Sequence, residues 1–132
     1  MKTHSPSLNH LNHFTSIILD SAITVHKEMG PGLLESVYQH CMIKELRDRK
    51  VVVESMVPIP LHYRGQVLNK DYVIDLLIEK EIIIELKAIE GLLPIHEAQI
   101  ISYLKLANKR LGLLINFNVT LLKYGFKRFI AK

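Results

Sequence analysis

The sequence has one cysteine, no acidic residue after Glu97 and no apolar run of membrane-spanning length. A lone Cys41 excludes an internal disulfide and cannot build a thiolate zinc site. A bilayer core asks for about 20 consecutive apolar residues, so a membrane is not an expected partner. The opening MKTHSPSLNHLNH lacks the apolar centre of a secretory signal. With the single thiol, this gives a cytoplasmic expectation. No P-loop, dinucleotide-type glycine motif, internal repeat or low-complexity tract is present. No Ser or Cys stands near a suitable base in sequence, which argues against a small-molecule hydrolase built on a nucleophile. The missing acids after Glu97 leave Lys105, Lys109, Arg110, Lys123, Lys127, Arg128 and Lys132 as one basic region, compatible with phosphate contacts.

What is present centres on Asp71–Ala88, DYVIDLLIEKEIIIELKA. Tyr72, Ile74, Leu76 and Ile78 alternate along one arm, and Ile82, Ile84, Leu86 and Ala88 along the next. Strand side chains alternate between faces with period two, which predicts a β-hairpin whose even positions face the core. A turn at Glu79-Lys80-Glu81 then pairs Ile78 with Ile82 and sets Asp75 opposite Glu85, with Lys87 two residues on. Carboxylates opposed across a strand pair repel. A divalent cation between them removes that repulsion, because Mg²⁺ is held by one or two carboxylates together with phosphate oxygens. The alternative at this point is a solvated strand face with ordinary charges.

The 132 residues suffice for one domain with a core, and 48% hydrophobic with 23% charged residues is ordinary for a globular chain. Residues 1–10 read as a flexible leader and 11–132 as the domain. His4, His10 and His13 are expected to be solvated. Helices are expected at about 11–29, carrying His26 near its end, and at 33–49, carrying Glu35 in its first turn and Tyr38 on its buried side. Gly30-Pro31-Gly32 separates them. A strand over 51–58 and a small hairpin around Arg64-Gly65 precede the central hairpin. A third helix is expected over 95–107, with His96, Gln99 and Tyr103 on one face. A strand over 111–117, buried on both faces, and an edge strand over 124–130 follow.

The order helix, strands, carboxylate hairpin, helix, strand, with Asp75, Glu85-x-Lys87 and Gln99-x-x-x-Tyr103, resembles the PD-(D/E)XK nuclease superfamily, and the Gln-x-x-x-Tyr is like its RecB-type branch. Gly32-Leu33-Leu34-Glu35-Ser36-Val37-Tyr38 looks like the signature of the GxxExxY family within it. Ile74 stands where the superfamily's name has proline. The resemblance implies an α/β fold, a single domain with a central mixed β-sheet flanked by helices. It implies Asp75 and Glu85 as metal ligands, Lys87 as catalytic lysine and Glu35 as an acid from the preceding helix. His26 is a further candidate ligand. Gln99, Tyr103 and Tyr38 would support the site or contact substrate.

The resulting expectation is Mg²⁺- or Mn²⁺-dependent phosphodiester hydrolysis of nucleic acid, DNA more than RNA, with a homodimer or a targeting partner for duplex cleavage. The alternative is a non-catalytic nucleic-acid-binding or assembly module that keeps the fold.

Overall fold

A computed structural model describes residues 7–131. In chain order it holds α1 (Leu8–Met29), α2 (Glu35–Asp48), β1 (Val53–Tyr63), β2 (Gln66–Ile78), β3 (Ile82–Lys87), α3 (Pro94–Ala107), β4 (Leu111–Asn116), a single 3-10 turn (Leu122–Tyr124) and β5 (Phe126–Ile130). The helical spacing of Leu11, Ile18, Ala22 and Val25 buries one stripe of α1. Ser7 caps that helix, its hydroxyl accepting from the His10 amide at 3.1 Å. This corrects the expected leader at its end: residues 8–10 are helical, and residues 1–6, with His4, lie outside the described residues. Gly30, at φ 72°, closes α1 in a conformation that glycine adopts at little cost.

The five strands form one mixed sheet in the order β1-β2-β3-β4-β5. Only β3 and β4 are parallel, with α3 as the crossover between them. The core of α1 and α2 packs on Leu76, Ile78, Ile82, Ile84, Leu86, Leu111, Leu113 and Ile115. On the opposite face, Ile100 and Leu104 of α3 pack on Ile59, Ile74, Leu77, Ile83 and Leu114. Every residue of β4 is buried, as expected for a strand covered on both faces. Gly112 lets α3 approach it closely, since a Cβ there would sit 3.0 Å from Ile100 Cδ1.

Two expectations about the strands need correction. Tyr72 and Ile74 do not share a face with Leu76 and Ile78; they pack on the α3 side. The pairing of β2 with β3 runs from Ile78 only to Leu76, and the β1–β2 ladder skips the pair at Met56, whose φ is 52°. N-terminal to that break β2 belongs to a two-stranded ribbon, which twists more strongly than a sheet. The separate small hairpin is instead the far end of this ribbon, because β1 runs unbroken to Tyr63. Pro58 and Pro60 are tolerated since β1 is an edge strand, where a missing N–H can face outward.

Candidate functional site

The site is built where β2 and β3 part. Their ladder ends at Leu76↔Ile84, so Asp75 and Glu85 come next in register. Asp75 precedes Leu77 and Glu85 follows Ile83 by two positions, and both of those residues are on the α3 face. Asp75 substitutes for the missing ladder with its side chain: Oδ2 accepts from the Leu86 amide at 2.8 Å. Glu85 is buried, only 5% exposed, between the two neighbouring strands, and its partner in β4 is Leu114.

Burial, first, pushes the Glu85 carboxyl up to about 9; the hydrogen bond it shares with Asp75 and the Asp75 charge add to this, while Lys87 opposes it. At neutral pH the metal-free pair therefore keeps a proton. Glu85 Oε1 is buried with no hydrogen-bond partner, the one such side-chain atom among the described residues. Buried polar atoms are nearly always bonded, and an orphan needs an explanation. An oxygen without a donor, beside a second carboxylate, is a donor set suited to a hard divalent cation. The residues present fit that group.

Lys87 ends β3 and lines a cavity of about 350 Å³ with Ile95, His96, Ala98, Gln99 and Ser102 of α3. The cavity lies at the carboxyl end of the parallel strands, where open α/β sheets bind ligands. Gln99 Nε2 donates to the Tyr103 hydroxyl at 3.4 Å. Burial, then the Glu85 and Asp75 charges, raise the Tyr103 phenol above its ordinary value. It remains a neutral donor beside the carboxylates, its ring edge-on to Tyr72 with centroids 5.7 Å apart.

The expected residues from α1 and α2 are placed differently. Glu35 is the first residue of α2 and exposed. Its helix does face the hairpin: Gln39, one turn on, donates from Nε2 to the Asp75 carbonyl at 3.4 Å. Tyr38 is fully buried, stacks on Phe117 at 4.4 Å and binds the Gly30–Leu33 loop, donating to the Gly30 carbonyl at 2.6 Å and accepting from the Leu33 amide at 3.1 Å. His26 donates from Nε2 to the Val119 carbonyl at 2.8 Å. Among the described residues no three His, Cys, Asp or Glu side chains gather as a metal-holding group, so Glu35 and His26 stand apart from the Asp75–Glu85 pair.

Sequence reasoning missed Gln39, Ser102 and Asn116. The signal for Gln39 was its four-residue spacing from Glu35. That for Asn116 was a polar residue closing an apolar strand. Asn116 is buried and bonds both backbone groups of Ile89, its Oδ1 accepting at 3.1 Å and its Nδ2 donating at 2.9 Å. It thereby fixes the chain just past Lys87. The basic C-terminal region is not one patch. Arg110 precedes the Ile82↔Leu111 pair, at the other end of the sheet from Lys87, and Lys127 pairs with Glu97 at 2.7 Å.

Two carboxylates and a lysine thus meet at the parting of two strands, with a cleft beside them. The sequence matches the PD-(D/E)XK nuclease superfamily over residues 12–129, and the chain belongs to it. Members are usually nucleases that use divalent metals and act on nucleic acid. No curated protein matches. The crystal structure of SSO0001 is similar in fold, at a TM-score of 0.55 and 22% identity, over 73% of this chain and 49% of that one. The chain thus spans about half the length of that protein. No helix among the described residues is long and apolar enough to cross a membrane.

Proposed function

We propose that this chain is a Mg²⁺- or Mn²⁺-dependent nuclease, acting on DNA in preference to RNA, of the GxxExxY type within the RecB-like branch. The observation that carries the reading is the orphaned, buried Oε1 of Glu85 against Asp75. Asp75 and Glu85 would hold the cation. A bound divalent cation supplies Lewis acidity at the phosphoryl oxygen and acidifies water. Lys87 orients the attacking water and offsets charge on the phosphate. Water adds to phosphorus and gives up a proton to solvent, the bridging P–O bond breaks, and the leaving oxygen takes up a proton from solvent. Gln99, Ser102 and the neutral Tyr103 line the approach as hydrogen-bonding groups. Glu35 acts from the α2 N-terminus through water. Tyr38 and His26 hold the α1–α2 junction and the segment after β4 in place. One site cuts one strand, so duplex cleavage takes a homodimer, successive nicks or a targeting partner.

The test is calorimetric titration of Mn²⁺ into wild type and Asp75→Asn, followed by plasmid nicking by wild type, Asp75→Asn and Lys87→Ala. The expected result is metal binding lost in Asp75→Asn and kept in Lys87→Ala, with nicking lost in both. Absence of Mn²⁺ binding in folded wild type overturns the reading.

A further inference from the structure

The outer part of the β1–β2 ribbon has no role in the core. Of residues 60–71 Leu61 is half-buried and all the others are exposed. Its turn is tight, Arg64 and Gly65 both having positive φ, and a register shift after Pro60 sets a kink between this tip and the root packed under α3. Beyond the kink its charge is of one sign, while Asp71 stands opposite Pro60 at the root side. No acidic residue lies between Glu54 and Asp71, while Arg64 occupies the turn and Lys70 the kink. Tyr63, 60% exposed, stands beside Arg64. Pro58 and Pro60 lack N–H groups on the outer edge, so the edge resists strand addition by another chain.

We propose that this ribbon is a duplex-binding arm that enters a DNA groove beside the cleavage site. This rests on the nuclease reading for its substrate class. A two-stranded β-ribbon fits the B-DNA major groove, which is about 12 Å wide. The arm is continuous with the site, because β2 carries both Lys70 and Asp75. Arg64, just past the end of β1, is eight residues along the chain from Met56, the position facing Asp75, which is at most about 26 Å at ~3.3 Å per residue. At ~3.4 Å per base pair, the arm engages duplex within about 8 base pairs of the cut phosphate. Arg64 and Lys70 contact phosphates, and the exposed Tyr63 ring packs against sugar or base edges.

The test is fluorescence anisotropy on a labelled duplex of about 30 base pairs, without metal, over a salt series, comparing wild type with Arg64→Ala/Lys70→Ala. Both side chains are exposed, and an unchanged circular dichroism spectrum and Mn²⁺ affinity establish that the variant is folded. The expected result is roughly a tenfold loss of affinity, with the log–log salt slope reduced by about 2. In metal-dependent cleavage, wild type prefers this duplex to one ending about 4 base pairs from the cut, and the variant loses that preference. Equal affinity and slope in the two proteins overturn the arm, even if both cleave DNA. A wild type that binds through the arm and never cleaves overturns the nuclease reading and leaves the arm standing. Failure of wild type to bind duplex overturns the arm.

Discussion

Replacing Glu85 by Gln should stabilise the metal-free protein at neutral and alkaline pH while removing its metal site. The Glu85 carboxyl has an ordinary value of 4.5 and is pushed up to about 9 in the fold, chiefly by burial. Below 4.5 the folded and unfolded chains both hold the proton, and the group contributes nothing. Between 4.5 and about 9 the unfolded chain has released it and the folded one has not. Stability then falls with rising pH by about 1.4 kcal/mol per unit and levels off above about 9. At about pH 7.5 the cost is at most about 4 kcal/mol, and local relaxation around the group reduces it to roughly 2–4 kcal/mol. Gln cannot ionise, and its amide can donate to Asp75 as the protonated acid does.

The assay is thermal unfolding of wild type and Glu85→Gln in chelator, from about pH 5 to about pH 9. For a chain of this size 1 kcal/mol corresponds to about 3–4 °C. Near pH 5 the two melting temperatures should lie within about 3 °C of each other. By about pH 7.5 the variant should melt roughly 6–16 °C higher. All other titrating groups are shared, so the difference between the curves isolates Glu85. Mn²⁺ at a hundred times its Kd should then raise wild type by about 2.7 kcal/mol and leave the variant unmoved. Parallel melting curves across the whole range would refute the argument that Glu85 is held protonated by burial.

Metal binding should release a proton. At about pH 7 the binding heat should vary with the buffer's ionisation enthalpy, and apparent affinity should rise up to tenfold per pH unit until about pH 9; buffer-independent heats would contradict this. Gly125→Ala would place a Cβ 2.0 Å from the Asn116 carbonyl oxygen, a backbone atom that cannot step aside, so urea unfolding should show a loss of about 3 kcal/mol or more. Tyr38→Phe removes the hydroxyl that binds Gly30 and Leu33 and should cost about 1–3 kcal/mol in the same measurement, without loss of Mn²⁺ affinity.

The register of Ile78 against Ile82 was legible because a three-residue turn between two alternating arms leaves one register that keeps Ile78, Ile82 and Ile84 on the same face. The face of Tyr72 and Ile74 was not legible. Val73, Leu77 and Ile83 make the odd positions apolar too, so the alternation has no contrast with which to reveal a break. That break shapes the carboxylate pair: where β2 leaves β3, Asp75 bonds the Leu86 amide with its side chain and still lies close to Glu85. The burial of Glu85 was equally hidden, since it comes from chain segments far away. Leu114 reaches it through the parallel crossover, and Tyr103 is brought near by α3. Glu-x-Lys alone is a solvated strand end as readily as a metal site. It is the topology that dries the carboxylate, and a dry carboxylate beside a second one is stable only with a proton or a cation between them. On the proposed function, a cation arriving at Glu85 would have to displace the proton that burial retains.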